Sequence, residues 1–310
     1  MTAVVSVNGV FKGFRGCQAL RGIDLQVPSG VVFALLGENG AGKTTLIRIL
    51  TGFLHADAGS AEILGLNCET QSLTIRRQIG YVSDAPALYD WMTVERIGWF
   101  TSAFYPTGFQ ANYEELIRQF EVPVERKIKQ LSKGQRAKVA LALAVAHEPE
   151  LLLLDEPTSG LDPLVRRQFL ESMVDRAATG RTVLLSSHQI DEVERVADWV
   201  AILRDGQVAL VEPLAKLKQS TQQVILSLSD PLVEIPLPRG RVLHHTTRGR
   251  QRQILVQDMD ADGLAALRNT TGVQHVETKT PSLEEIFIAC TRGETVPAAD
   301  DLPQAFSPTA

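Results

Sequence analysis

Cysteine, aromatic residues and excess charge of either sign are all scarce in this sequence. Cys17, Cys68 and Cys290 are the only cysteines, and they share no metal-like spacing. An odd, unpatterned set fits a reducing cytosol better than a disulfide framework. Aromatics make up 6% of the chain, which argues against a base-stacking platform for nucleic acid. The net charge is −5, so no broad basic surface awaits a phosphate backbone. No apolar run of about 18 residues occurs, and no segment reads as a membrane span. Residues 1–10 lack the basic start and apolar core of a signal peptide.

What is present has the texture of a globular protein, 44% hydrophobic and 22% charged. Short apolar runs alternate with helical patterns up to about residue 212. Residues 31–36 (VVFALL), 79–82 (IGYV), 151–154 (LLLL) and 182–185 (TVLL) predict strands buried on both faces, and hence a mainly parallel sheet covered by helices. More polar strands at 3–7 and 20–27 predict an antiparallel β-subdomain at the N-terminus. A helical stretch over 93–121, broken at Tyr105-Pro106-Thr107-Gly108, predicts an inserted helical subdomain spanning about 93–145. After Glu212-Pro213 the pattern changes. Strands at 222–228 and 253–256 and helices at 260–268 and 282–292 predict a small α+β module over 213–293. Residues 294–310, rich in Pro, Ala and acidic groups, read as a disordered tail.

The strand VVFALL runs into GENGAGKTT and then into the helical pattern LIRIL. Gly37, Gly42, Lys43 and Thr44 satisfy G-x-x-x-x-G-K-[ST]. Glycines let the backbone N–H groups of Gly37, Glu38, Asn39, Gly40, Ala41 and Gly42 converge on phosphate oxygens, ahead of Thr45. The helix N-terminus adds partial positive charge. Lys43 reaches the β- and γ-phosphates, and the Thr44 hydroxyl can ligate Mg²⁺. A second apolar strand ends in LLLLDEPTSGLD. Its adjacent carboxylates suit two tasks: Asp155 beside Mg²⁺, and Glu156 as general base toward an attacking water. The fold class is therefore α/β with a P-loop NTPase core, and the cofactors implied are ATP and Mg²⁺.

LSKGQ, at 131–135, precedes this strand and opens the helical pattern AKVALALAVA. With the phosphate loop, Asp155-Glu156, SGLD and Ser187-His188, the sequence resembles the ATP-binding subunit of an ABC transporter over residues 1–212. Phe14 extends the match at the place where this family sets an aromatic ring against adenine. The resemblance implies a head-to-tail dimer that sandwiches two ATP molecules. Ser132, Gly134 and Gln135 would meet the nucleotide of the opposite subunit. Asp162 would link the two sites, and His188 would contact the γ-phosphate; the alternative for His188 is a cap on the helix IDEVERVA. Lys133 stands where the family has a second glycine, and its side chain is expected to point to solvent. Asp84 stands where the family has glutamine. It is either a working substitute near Mg²⁺ or an exposed turn carboxylate.

The resemblance also implies partners. With no span in the chain, the permease must be a separate polypeptide, with this subunit peripheral on the cytoplasmic face of the membrane. Leu88, Tyr89, Trp91 and Met92 suit contact with it, whereas Trp99, Phe100 and Phe104 are expected inside the helical subdomain. The second ATPase subunit would be a copy of this chain or a paralogue, and no nucleic acid is expected. The closing stretch SLEEIFIACTRG resembles the extension on bacterial subunits of exporter-type systems, which favours export or a membrane-maturation task over solute uptake. The competing class is a soluble ABC-type ATPase acting on ribosomes or DNA. The ribosomal kind carries two ATPase domains in one chain, and the DNA kind splits its motifs with a long coiled coil; neither feature occurs here.

Overall fold

The computed structural model describes residues 3–105, 107–238 and 240–292. The expected tail at 294–310 lies outside the described residues. The chain divides into two compact units, one up to Val211 and one from Glu212.

In the first unit, β1 (Ala3–Phe14) and β2 (Cys17–Pro28) form an antiparallel hairpin, and β3 (Val32–Gly37) leads through the phosphate loop into α1 (Lys43–Leu50). Strands β4 (Ala58–Ile63) and β5 (Leu66–Asn67) follow, then α2 (Ser72–Gln78) and β6 (Ile79–Val82). The helices α3 (Val94–Ser102), α4 (Phe109–Gln119) and α5 (Lys133–Val145) come next. The chain then alternates through β7 (Leu151–Asp155), α6 (Pro163–Ala178), β8 (Thr182–Ser187), α7 (Ile190–Val196), β9 (Trp199–Arg204) and β10 (Gln207–Pro213).

Two sheets result. The antiparallel sheet has the order β2-β1-β4-β5, and the central sheet the order β10-β9-β3-β8-β7-β6. Within the central sheet β9, β3, β8, β7 and β6 are mutually parallel, as their continuous apolar runs require. Every residue of β3, β7 and β8 is buried. This register brings the ends of β3, β7, β8 and β6 to one edge, where open α/β sheets bind ligands. Residues Val5, Val7, Leu20 and Ile23 of the antiparallel sheet share a core with Leu35, Leu153 and Leu184 of the central one. That packing fixes the phosphate loop between two layers.

The helical layer has its own core, built from Met92, Val94, Ile97, Phe109, Tyr113, Ile117, Ile128 and Val139 among others. Here two expectations fail. Trp99 is 70% and Phe104 64% exposed, not packed inside. Val94, Ile97 and Gly98 form the buried face of α3, so Trp99, one residue on, turns about 100° away from it. Conversely Met92 is buried in this core and Leu88 packs against it, leaving Tyr89 and Trp91 as the exposed part of that loop.

The second unit comprises α8 (Leu214–Ser220), β11 (Thr221–Leu228), β12 (Arg241–Arg248), β13 (Gln251–Gln257), α9 (Ala261–Asn269), β14 (Val273–Lys279) and α10 (Leu283–Arg292). Its strands form an antiparallel sheet in the order β12-β13-β11-β14 over a core of Val224, Leu226, Ile254, Val256 and Leu267.

Candidate functional site

The phosphate loop is shaped by what lies beneath it. Glu38, Asn39 and Gly40 are exposed, while Ala41, Gly42 and Lys43 dip back inside. Gly42 precedes α1 at φ 107°, and a Cβ there would stand 2.7 Å from both Ala19 O and Leu20 Cδ2. Only glycine meets both conditions. The Ala41 N–H donates to Glu38 O at 3.1 Å, which closes the turn. Lys43 is 5% exposed, and a buried ammonium needs partners. It donates to Gly37 O at 2.7 Å and Glu38 O at 3.3 Å, and Glu156 Oε1 lies 3.2 Å away. The ammonium thus sits under the loop whose amides would cradle a phosphate.

The carboxylates at the end of β7 are held from several sides. Asp155 is buried, and its Oδ1 accepts from Thr44 Oγ1 at 3.0 Å and Ser186 Oγ at 2.7 Å. Burial, then the Asp155 charge, push the Tyr81 phenol above its ordinary pKa. Glu156 adopts φ 49°, a left-handed conformation that strains a residue carrying a Cβ. Its N–H donates to Ser186 O at 3.2 Å and Ser186 Oγ at 3.0 Å. Its Oε2 lies 2.7 Å from His188 Nδ1. His188 therefore points to Glu156 and does not cap the following helix, whose N-cap is Gln189. Lys43, Thr44, Asp155, Glu156 and His188 are brought into one cluster.

The remaining candidates lie around this cluster. Phe14 ends β1 and is half exposed; Lys12 Nζ stands 5.8 Å from its ring centroid. Ser132 caps α5 reciprocally with Gln135: its Oγ accepts from Gln135 N at 3.2 Å, and its N–H donates to Gln135 Oε1 at 3.1 Å. Gly134 is buried against Val165. Lys133 is exposed, but its ammonium does not simply face solvent. It lies over Gly160, 2.4 Å from the point a Cβ would occupy, in the same loop as Asp162. Asp162 caps α6, accepting from Leu164 N at 3.2 Å and Val165 N at 3.0 Å. Asp84 is exposed just beyond β6, and Thr45 is half-buried in the first turn of α1.

Sequence reasoning missed three supporting residues. Ser186 braces both carboxylates, and the pair Thr158–Glu192 links the loop after Glu156 to α7. Their partners lie about 30 residues away in the chain, and no local spacing rule reaches that far. The serine of TVLLSS at the tip of a buried strand was the one available signal.

The ABC transporter family model matches residues 20–159. The ABC transporter ATP-binding protein YhaQ of Bacillus subtilis is 31% identical over 293 residues, covering 92% of this chain and 97% of YhaQ. This chain belongs to the ABC transporter ATP-binding family. A second family member, the daunorubicin resistance ATP-binding protein DrrA3 of Streptomyces coeruleorubidus, is 30% identical over 301 residues, covering 93% of this chain and 95% of DrrA3. A solved ATP-binding subunit of an ABC transporter shares 30% identity and a TM-score of 0.65, covering 70% of this chain and 92% of that one. The dimeric structure of a bacterial ABC transporter cassette matches with 25% identity and a TM-score of 0.62, covering 68% of this chain and 98% of that one. The mixed α/β cassette fold and nucleotide binding are family properties.

Proposed function

We propose that this chain hydrolyses ATP as one half of a dimer, on the cytoplasmic face of a membrane, and drives a separate permease that exports its substrate. The observation that carries the reading is the convergence of Lys43, Thr44, Asp155, Glu156 and His188 at the end of the parallel sheet. Export is supported by similarity to DrrA3 along 93% of the chain, which extends past the cassette into the C-terminal module. Among the described residues no helix is long and apolar enough to cross a membrane.

The residues divide the work as follows. The amides of residues 37–42 and the Lys43 ammonium take the phosphates, and Phe14 offers its exposed ring to the base. Thr44 and Asp155 present hydroxyl and carboxylate oxygens, the hard donors that suit Mg²⁺, with Asp84 as a third candidate. When bound, that ion neutralises charge on the β- and γ-phosphates. Lys43 and His188, both beside Glu156, are also the side chains that a γ-phosphate would meet. Glu156 then takes a proton from the water that attacks the γ-phosphate, giving ADP and phosphate. Ser132, Gly134 and Gln135 contact the nucleotide held by the second subunit, and Asp162 connects the two sites.

The groove for the permease lies beside Asp84. A cavity of about 370 Å³ opens between β6 and the helical layer, lined by Phe53, Arg76, Tyr81, Leu88 and Tyr105 among others. Ser83, Pro86 and Ala87 also line it, so the segment carrying Asp84 borders both the sheet edge and the groove.

The test is purification of the full chain from its native membrane, with an assay of MgATP hydrolysis. Turnover together with a co-purifying integral membrane protein is expected. Ribosomal RNA or DNA in its place supports the competing class, and absence of turnover sinks the hydrolytic reading.

A further inference from the structure

Outside the nucleotide cluster one buried charged group is built into a network of its own. Glu192, in the first turn of α7, is 8% exposed. Its Oε2 accepts from Thr158 Oγ1 at 2.7 Å, and Thr158 is itself buried. Its Oε1 lies 2.8 Å from Arg166 Nε in α6, and Arg166 Nη2 also donates to Leu161 O at 3.3 Å. The carboxylate therefore ties together the 156–162 loop, the first turn of α6 and the helix that follows His188. A buried ion pair gains little net stability over apolar packing. Its value lies in fixing geometry.

The geometry to be fixed is on the page. Glu156 holds a left-handed backbone at φ 49°. Such strain persists only where the surroundings over-determine it. On its N-terminal side Ser186 receives the Glu156 N–H. On its C-terminal side Ser159 N–H donates to Glu156 O at 3.2 Å and Leu161 N–H to Thr158 O at 3.1 Å. Among the described residues, the side-chain hydrogen bonds Thr158–Glu192 and Arg166–Leu161 tie this side to neighbouring helices. Glu192 stands four residues after His188, whose ring touches the Glu156 carboxylate. The segment that runs from His188 into α7 thus braces Glu156 twice, through its side chain and through its loop.

We propose that Glu192 is a positioning residue for hydrolysis: through Thr158 and Arg166 it holds the 156–162 loop in the strained form that aims Glu156, and couples that loop to His188. This rests on Glu156 being the base. Thr158→Val keeps shape and removes the hydroxyl, so it tests the contact in a folded chain. In MgATP hydrolysis by the full chain, kcat falls about ten- to hundredfold while KM stays within about twofold, as expected for a misaimed group. Thr158→Ser restores kcat. Glu192→Gln, which keeps an acceptor for Thr158, loses less than Glu192→Ala. The double variant Thr158→Val/Glu192→Ala is no worse than Glu192→Ala alone, because both break one unit. Unchanged kcat in Thr158→Val, or no rescue by Thr158→Ser, overturns the proposal. Hydrogen exchange on the nucleotide-free chain reads the same coupling without turnover. The Ser159 and Leu161 amides exchange about tenfold faster or more in Thr158→Val, and unchanged exchange overturns the proposal even where the hydrolytic reading has failed.

Discussion

Strands β6 and β7 lie side by side, parallel, with Val82 opposite Leu154. Asp84 and Glu156 each stand two residues beyond that register point, so two strands deliver two carboxylates to one edge. Their surroundings are opposite. Glu156 is 14% exposed in its side chain, strained, and engaged by Lys43 and His188. Asp84 is exposed in a loop without regular structure. Under the proposed function the difference would suit two kinds of work. A group that must meet a reacting water needs fixed geometry, which burial and several partners supply. A group that must respond to another subunit needs freedom to move, and loosely anchored loops provide it.

The largest effect should come from the fixed end. Glu156→Gln keeps shape and removes the base, so steady-state turnover falls by about 10²- to 10⁴-fold. MgATP binding by the full chain persists, because Lys43 and the loop amides remain. Phosphate release and equilibrium binding measured together check this. Turnover near the wild-type rate would remove Glu156 from its role and erase the contrast between the two strand ends.

The next effect concerns how β6 is held at all. A Cβ on Gly80 would lie 2.2 Å from Ala144 O of α5, so strand and helix meet backbone to backbone. Gly80→Ala forces them apart, at a cost of about 1–3 kcal/mol. The melting temperature should fall by about 3–10 °C, read by calorimetry. An unchanged melting temperature would mean that the close contact of β6 with α5 does not hold the strand in place.

The two ends were also unequally legible in the sequence. GENGAGKTT and LLLLDEPTSGLD were legible because strand, turn and helix follow one another locally. The fully buried strands declared themselves by continuous apolar runs, and Ile79–Val82 was read with its observed bounds. Strands β12 and β14 were missed because RVLHHTTR and VQHVETK are polar and largely exposed, so no alternation marks them. The bracing of Glu156 by Ser186, and of its loop by Glu192, depends on contacts across the sheet edge that no window of sequence contains. Trp99 and Phe104 misled for the opposite reason. Aromatic type suggested a core; for Trp99 the position of Gly98 on the inner face of α3 decides otherwise, and Phe104 lies in the turn beyond that helix.

A smaller effect is expected at Asp84. An exposed carboxylate near a cation contributes up to about 1 kcal/mol. Asp84→Ala should therefore raise the Mg²⁺ concentration for half-maximal hydrolysis about fivefold at most, with kcat at saturating Mg²⁺ little altered. A titration of ATPase rate against Mg²⁺ checks this. An unmoved midpoint assigns Asp84 to the turn alone and leaves coupling to the apolar part of the loop.

That apolar part yields the smallest change in the isolated chain. Trp91 is 63% exposed, and its ring lies 6.2 Å from that of Tyr89, centroid to centroid. Surface substitutions of this kind shift stability by less than about 0.5 kcal/mol. Trp91→Ala should thus leave the melting temperature and the basal ATPase rate of the purified chain unchanged. The loss should appear only in the assembled complex, as weaker retention of the membrane partner, because large exposed aromatics carry much of the energy of interfaces. The buried neighbour Met92 serves as the control. Met92→Ala opens the helical core and lowers the melting temperature by itself. A Trp91→Ala chain that retains its partner fully would move the docking surface away from this loop, toward the exposed rings of Trp99 and Phe104.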